Sequence, residues 1–183
     1  NIEVNIDVGQ FKGAYRDMAI GINRMVENHI QVLTKSTEAI NHLATGNLNA
    51  ELEKFPGKFS LVNDGVEGLR YNVRTLISDM RFMAESHQAG NISVFMDPAN
   101  FSGEYKLLAV GVNEMVHESI DENKTVTDCI LQFGNGDFSA TIKEYPGEKA
   151  FINKSVKKIG GNLKGLIDSV NWVSDAHEKG DID

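Results

Sequence analysis

The sequence of 183 residues has little of what several protein classes require. It contains one cysteine, Cys129, which excludes an internal disulfide and fits a reducing compartment. Its most notable apolar run, residues 107–112, is far too short to cross a bilayer. The net charge of −8 disfavours nucleic acids and anionic membranes as partners. With 41% apolar and 24% charged residues, what remains is the composition of an ordinary soluble domain.

Regularly spaced glycines reveal an internal repeat, which decides how the chain is organised. Linkers between long amphipathic stretches open at Gly46, Gly90, Gly136 and Gly180 and close at Gly13, Gly57, Gly103 and Gly147. Successive opening glycines are 44, 46 and 44 residues apart, and each closing glycine precedes the next opening one by 33 residues. The chain is therefore a two-fold repeat of period 90, with two half-repeats in each copy. Because it lacks an initiator methionine and starts and stops within a half-repeat, we expect a piece of a longer, linear array.

The stretches between linkers have apolar residues at alternating steps of four and three, which is the seam of a coiled coil. We predict helices over residues 14–45, 58–89, 104–135 and 148–179. The seam is unbroken in the second and fourth of these helices. In the first and third it shifts by one residue, at Met25/Val26 and at Met115/Val116, as at a coiled-coil stutter. Helices of this length are about 48 Å long, which is expected of coiled-coil elements.

The linkers are longer than an antiparallel hairpin requires. About ten extended residues can return along roughly 12 to 16 helical residues and start the next helix parallel to the last. Two parallel helices cannot close a core alone, so a second chain is predicted to complete a parallel, dimeric four-helix bundle. The linker residues predicted to seat between the helices are Leu48, Leu52, Phe55, Ile92, Met96, Phe101, Phe138, Ile142 and Tyr145. The predicted bundle core comprises Val62, Val66, Leu69, Val73, Leu76, Leu108, Val112, Met115, Ile152, Val156, Ile159, Leu163 and Leu166.

This succession of helix, glycine, extended linker and parallel helix resembles the HAMP domain of bacterial chemoreceptors and sensor kinases. It is more similar still to the concatenated, divergent arrays (poly-HAMP) of soluble and oxygen-sensing methyl-accepting chemoreceptors. In those arrays a Gly-Asn-Phe linker ending in Pro-Gly-Lys-Lys alternates with a longer linker leading into a Gly-Val-Asn-Glu-Met/Leu-Val helix. The corresponding segments here are Gly136–Phe138, Pro146–Lys149 and Gly111–Val116. The acidic-acidic-x-Gly signature of the second helix and the early proline of the first helix are absent.

The resemblance implies an all-α fold of tandem HAMP units, joined by continuous helices, with extended connectors. The implied units are 33–77, 78–120 and 121–167, with partial units at 1–32 and 168–183. It implies a parallel homodimer that relays signals between sensor and output domains of the same parent chain, and indirectly to the chemotaxis kinase and coupling protein. The implied location is the cytoplasm, whether or not the parent chain is anchored in the inner membrane. No enzyme activity, cofactor, catalytic residue, metal ligand or membrane insertion of this segment is expected.

Two other functions remain open from the residues alone. A ligand-binding sensor domain, folded as an antiparallel monomeric bundle, would hold a small molecule among Met and Phe side chains, but it leaves the long alternating linkers unexplained. A passive dimerisation rod would have the same sequence pattern as a relay. Coupling between units is what separates a relay from a rod.

Several individual residues invite a chemical interpretation. His87 and His177 hold matching seam positions, and we interpret them as structural, with a pH-sensitive element as the alternative. Cys129 is interpreted as a buried, inert thiol. The pair Gly160-Gly161 lacks the strand and the Lys-Ser/Thr of a phosphate-binding loop, and it indicates close helix packing or local flexibility. Trp172 is expected on the apolar side, and Thr37 and Asn123 are expected inside the seam.

Overall fold

A computed structural model describes residues 5–180 of the chain. Within this range the chain forms four helices and no strand: α1 (Ala14–Ala44), α2 (Ser60–Gln88), α3 (Gly103–Gly134) and α4 (Ala150–Glu178). The predicted all-α class is confirmed, and each helix end lies within two residues of its predicted position. The sequence also predicts that Ile2 and Val4 are apolar linker positions and that another linker begins at residues 180–182, but Ile2, Val4, Asp181 and Ile182 lie outside the described residues.

The largest differences from the predicted ends occur where α2 and α4 begin, and they have a local cause. A single 3₁₀ turn precedes each helix, at Gly57–Phe59 and at Gly147–Lys149. Such tighter turns are common at helix ends, because they satisfy backbone groups that an α-helical turn leaves unpaired. The helical pattern in the sequence therefore starts about one turn before the α-helix itself.

The three connectors leave the preceding helices through glycines. Gly46 and Gly136 have φ angles of 82° and 91°, the left-handed conformation in which a glycine commonly ends a helix. The following residues close the helix, since Asn47 N–H donates to His42 O at 2.8 Å and Asp137 N–H donates to Gln132 O at 3.0 Å. This is the Schellman arrangement, in which a residue without a Cβ turns the chain out of the helix.

The chain forms two compact units, residues 1–109 and 110–183. In the first unit α1 and α2 run in the same direction. The rings of His29, in α1, and Phe59, just before α2, have centroids 5.0 Å apart. Farther on, Arg74 Nη2 in α2 donates to Leu48 O, just after the end of α1, at 2.6 Å. The start of α2 thus lies beside the middle of α1, and its later turns lie beside the end of α1.

In the second unit α3 and α4 are parallel by the same reasoning. Lys149, just before α4, forms an ion pair with Glu122 of α3 at 2.6 Å. Eleven residues later in both segments, a Cβ built on Gly160 would lie 3.0 Å from Phe133 Cζ. The connector between them returns along the last 12 residues of α3, the lower end of the predicted range.

Part of the apolar seam of the helices remains exposed in the single chain. Of the residues predicted for the bundle core, five are 40% to 64% exposed: Leu69, Leu108, Met115, Ile159 and Leu166. We call these five residues the exposed seam. None of the helices in residues 5–180 is long and apolar enough to cross a membrane.

Candidate functional site

The connectors and the helix faces they cover form the candidate functional site. Connector 1 comprises residues 45–56, connector 2 residues 89–102 and connector 3 residues 135–146. Of the residues predicted to seat between helices, the buried ones are Phe55, Met96, Phe101 and Tyr145. The half-buried ones are Leu48, Leu52, Phe138 and Ile142, while Ile92 is 50% exposed.

Connector 3 packs against a small core that joins α3 to α4. Cys129, Phe133 and Val156 are buried at its centre. The connector residues Phe138, Ala140 and Ile142 pack against them, together with Val126 and Leu163 from the helices. Alternate residues of an extended connector therefore fill the groove between two parallel helices, since side chains alternate sides along an extended backbone.

The predicted bundle core divides into an inner and an outer part. Val66 and Val156 are buried within the chain. Intermediate burial is found at Val62, Val73, Leu76, Val112, Ile152 and Leu163. The exposed seam makes up the remainder, so the connectors cover only part of the apolar surface of the helices.

In connectors 1 and 3, one asparagine of the following helix hydrogen-bonds to the connector backbone through both ends of its side-chain amide. Asn63 Oδ1 accepts from Phe55 N–H at 2.9 Å, and its Nδ2 donates to Glu53 O at 2.8 Å. Asn153 repeats this arrangement, accepting from Tyr145 N–H at 2.9 Å and donating to Lys143 O at 2.8 Å. We call each pair of bonds an asparagine bridge. Each bridge pairs one backbone N–H and one backbone C=O of the connector, as a neighbouring β-strand would.

A third asparagine bridge occurs near the start of the described chain. Asn23 in α1 accepts from Ile6 N–H and donates to Ile6 O, both at 2.8 Å. These asparagines were not singled out in the sequence, although a signal was present. They follow the closing glycines by a fixed distance that alternates with the half-repeat: 10 residues to Asn23 and Asn113, and 6 residues to Asn63 and Asn153.

Ion pairs add further contacts around the connectors. Lys35 of α1 pairs with Glu53 of connector 1, and Lys157 of α4 pairs with Glu144 of connector 3 at 2.6 Å. The hydrogen bond that Lys149 donates to Glu122 raises the pKa of Lys149 above its usual value. Most of these side chains are largely exposed, and pairs of that kind contribute little to stability.

Connector 3 begins with a turn held by a carboxylate. Asp137 Oδ1 accepts hydrogen bonds from Ser139 Oγ at 2.6 Å and from Ser139 N–H at 3.1 Å. Both bonds favour the ionised form, so they hold the pKa of Asp137 below its usual value. In connector 1 the equivalent side chain is Asn47, whose Oδ1 accepts from Asn49 N–H at 3.1 Å.

Cys129 lies in the connector 3 core and is only 3% exposed. Burial raises the pKa of its thiol above the usual value, and the negative charge of Asp137 adds to this shift. A raised pKa lowers the fraction of reactive thiolate. The structure thus agrees with the interpretation of Cys129 as a buried thiol.

Three buried polar atoms find no hydrogen-bond partner within the described chain. They are Nε and Nη2 of Arg70 and the hydroxyl oxygen of Tyr145. Arg70 uses Nη1 for an ion pair with Glu67 at 3.1 Å. Each buried polar group that lacks a hydrogen-bond partner lowers the stability of the folded chain.

The histidines predicted at matching positions have different surroundings. His87 Nε2 lies 2.7 Å from Val94 O in connector 2, and its ring meets Phe95 edge-on. Because a carbonyl oxygen only accepts, Nε2 must carry the proton. His177 is exposed. No three His, Cys, Asp or Glu side chains between residues 5 and 180 are arranged to hold a metal ion.

Other residues singled out in the sequence occupy mixed positions. Gly160 lies against Phe133, whereas nothing lies within 4 Å of a Cβ placed on Gly161, so only Gly160 serves close packing. Trp172, predicted on the apolar side, is 72% exposed in the single chain. Thr37 and Asn123 are exposed in the single chain, and each bonds a carbonyl four residues earlier, Leu33 O and Ser119 O.

Surface pockets bear on the alternative of a ligand-binding domain. A groove of about 500 Å³ lies between α1 and connector 1. Its lining is mostly polar and charged: Lys35, Glu38, Ala39, His42, Asn47, Ala50, Glu51, Leu52 and Glu53. This groove is not the methionine- and phenylalanine-lined pocket that the ligand-binding alternative predicts.

Parallel helices joined by an extended, glycine-bounded connector are the arrangement that the resemblance to HAMP domains implies. Residues 32–74 and 122–164 each match the family HAMP N-terminal domain 3. These two segments are therefore HAMP domains, in equivalent halves of the two 90-residue copies.

The chain is also similar to the methyl-accepting chemotaxis protein McpB of Pseudomonas aeruginosa. The two sequences are 26% identical over 99 residues, which cover 54% of this chain. The same alignment covers 15% of McpB, so this chain corresponds to a small part of that protein.

Proposed function

We propose that this chain is a signal-relay module of a bacterial chemoreceptor or sensor kinase, with no catalytic chemistry of its own. The observation that carries the proposal is the pair of HAMP domains, each with parallel helices and a seated connector. The similarity to a methyl-accepting chemotaxis protein supports a chemoreceptor as the parent. The proposed partners are sensor and output domains of the same parent chain and, through them, the chemotaxis kinase and its coupling protein.

We further propose that the working form is a parallel homodimer. The exposed seam supports this, because large apolar side chains that repeat along a helix at heptad spacing, as at Leu108 and Met115, are typical of an interface between helices. Ile159 and Leu166 are seven residues apart in α4, which is one coiled-coil heptad. A second copy in parallel would place each of these residues opposite its own counterpart.

The proposed mechanism uses helices that belong to two successive units. In this scheme the units are 33–77, 78–120 and 121–167, with partial units at 1–32 and 168–183. A bundle with two packings that differ by a few kcal/mol is a bistable element. The seam shifts at Met25/Val26 and Met115/Val116 would put adjacent units into different packings, so that a change in one biases the next. The proposed location is the cytoplasm, which the HAMP family supports.

The ligand-binding alternative fits the structure less well. It requires antiparallel helices in a monomer, whereas α1 and α2 are parallel, as are α3 and α4. A passive rod remains a competitor, since it would have the same fold. It differs from a relay only in the absence of coupling between units.

Disulfide crosslinking in this chain tests whether it dimerises, whether the two chains run parallel, and whether successive units are coupled. Cysteine is introduced singly at Ile159, Leu166 or Val173, the next seam position seven residues after Leu166, in a Cys129→Ser background. Lys164→Cys is the exposed control on another face of α4. A parallel dimer gives rapid crosslinks at all three seam positions and slow ones at Lys164. An antiparallel dimer gives at most one, and a monomer gives none.

Coupling is then read from the same crosslinks after deletion of Val116. The deletion rotates the preceding part of α3 by about 100° relative to the rest, whereas the control Val116→Ala keeps the phase. A relay predicts altered crosslinking rates in α4 with the deletion only. Unchanged rates would identify a passive rod and overturn the relay proposal.

A further inference from the structure

We infer that Asn63 and Asn153 are positioning residues that bind each connector to the helix that follows it, so that connector and following helix move as one body. The moving boundary of each HAMP domain then lies between the connector and the preceding helix. The consequence for signalling rests on the proposed relay function, whereas the bridges themselves are a property of the folded chain.

The direction of the hydrogen bonds supports this assignment. In connector 1, the helix side chains that bond to connector backbone atoms are Asn63 and Arg74, both from α2. In connector 3, the corresponding side chain is Asn153 of α4. Across these two connectors as described, helix side chains reach the connector backbone only from the following helix. The preceding helix is joined to connector backbone atoms through its own ending turn.

Contacts with the preceding helix are of a different kind. Connector 3 meets a core shared by both helices through apolar side chains, as Phe138 and Ile142 pack against the cluster of Cys129 and Phe133 of α3 and Val156 of α4. Connector 1 meets α1 through an exposed ion pair of Lys35 with Glu53. Apolar contacts have no directional requirement, whereas hydrogen bonds weaken steeply when their geometry changes. Beyond the ending turn, the directional contacts described for these two connectors are therefore made with the following helix.

Burial strengthens the bridge in the second copy. Asn153 is 2% exposed and both ends of its amide are paired. Breaking the bridge would leave an amide and a backbone carbonyl unpaired in a site shielded from water, which is strongly disfavoured. Asn63 is only half-buried, so its bridge competes more with water.

The same device recurs at three places with nearly identical lengths. All six hydrogen bonds of the bridges at Asn23, Asn63 and Asn153 lie between 2.8 and 2.9 Å. In each case the asparagine belongs to the helix after the connector. Recurrence in both half-repeat types indicates a common mechanical requirement rather than a local accident.

Amide hydrogen exchange in this chain tests whether Asn153 holds the connector. Asn153→Leu keeps the approximate volume but removes both hydrogen bonds, and exchange at Tyr145 N–H is expected to accelerate about tenfold or more. Phe55 N–H is the internal reference in the same sample, because its bridge is made by Asn63 and is unaltered. Unchanged exchange at Tyr145 N–H would overturn the inference.

Asn153→Asp adds a readout that general destabilisation would not produce. A carboxylate accepts from Tyr145 N–H but repels Lys143 O, whereas a protonated carboxyl group restores the donor. Burial raises the pKa of such a carboxyl group, so protection of the Tyr145 N–H from hydrogen exchange should return as pH falls. The charged groups nearby are Lys143, which lies over the Tyr145 ring, and the Glu144–Lys157 ion pair, and wild type measured at each pH accounts for their titration. Absence of recovery at low pH would count against the bridge.

Spin-label distances test the motion itself. Labels at the exposed sites Thr141 and Lys164 join connector 3 to α4, and labels at Thr141 and Asp128 join it to α3. In chains diluted with unlabelled protein, the connector–α4 distribution is expected to be the narrower, and Asn153→Leu should broaden it. A connector–α3 distribution as narrow as the other would overturn the inference. These readouts do not depend on coupling across Val116, so failure of the relay proposal would be recognised separately.

Discussion

The HAMP domains of the two copies are equivalent in sequence position but fill their connector grooves in different ways. In the second copy Gly160 makes room for the ring of Phe133. Ninety residues earlier, the first copy has Arg70 and Leu43 at these positions, and Arg70 is buried. A glycine paired with a phenylalanine in the second copy thus corresponds to an arginine and a leucine in the first. The comparison teaches that the two grooves are filled by different residues, although both keep an asparagine bridge.

The copies also differ in which buried polar groups lack a hydrogen-bond partner. In the first, two guanidinium nitrogens of Arg70 are buried without a partner, while in the second the unpaired atom is the hydroxyl of Tyr145. Phe55, the counterpart of Tyr145, carries no hydroxyl. Each copy thus has an unpaired buried group that the other avoids, and exchanging residues between copies separates their contributions.

The largest effect is expected at Gly160, where an added Cβ would lie closest to its neighbours. Gly160→Ala should destabilise the chain by about 1–3 kcal/mol, although alanine is the better helix former, because its Cβ would lie 3.0 Å from Phe133 Cζ and 3.1 Å from Phe138 O. Urea unfolding at fixed chain concentration measures the change.

Gly161 supplies the matched control for this substitution. Nothing lies within 4 Å of a Cβ at Gly161, so Gly161→Ala should stabilise by about 0.5–1 kcal/mol. Adding Phe133→Leu, the residue of the first copy, should partly rescue Gly160→Ala. Equal effects of the two alanines would show that the groove does not require a glycine.

The next comparison exchanges the aromatic residues at the end of each connector. Tyr145→Phe removes an unpaired buried hydroxyl and should stabilise by up to about 1 kcal/mol. The reciprocal Phe55→Tyr buries a hydroxyl in the first copy and should destabilise by about 1–3 kcal/mol. Thermal unfolding of both variants decides the matter. Destabilisation by Tyr145→Phe would mean that the hydroxyl finds a partner in the assembled protein.

The smallest effect concerns the turn that opens connector 3. The hydrogen bonds from Ser139 lower the pKa of Asp137 in the folded chain, so the stabilisation they give is present above the unfolded pKa of about 3.9. It is lost as pH falls through the lower, folded value. Asp137→Asn installs the residue of connector 1 and should flatten the acid limb of a plot of melting temperature against pH. An unchanged acid limb would remove Asp137 as a contributor.

Periodic features of this fold were predictable from the sequence. Seam spacing predicted the helices, and glycine spacing predicted the connectors, because both are repeated at fixed intervals. Trp172, predicted on the apolar side, is 72% exposed in the single chain, and Leu166 of the same helix is 61% exposed. The sequence therefore locates the helices, whereas the single chain does not test which of their apolar residues become covered.

Features that depend on a single contact were not predictable in the same way. Gly160 and Gly161 are adjacent and chemically identical, and only the position of Phe133 distinguishes them. Asn153 is a polar residue near a helix start, and its role depends on where the connector backbone passes. Which groups are left unpaired, such as those of Arg70, follows from the packing of all neighbours together.

The exposed seam has a thermodynamic consequence. A chain that leaves Leu69, Met115 and Leu166 in water has not buried the apolar surface that its folding requires. In the proposed dimer a second chain covers this surface, so the free energy of unfolding includes the free energy of association. Melting temperature then rises with chain concentration. Linkage to neighbouring domains that hold two chains together would act as a very high local concentration, and the parent's architecture would set the stability of its relay.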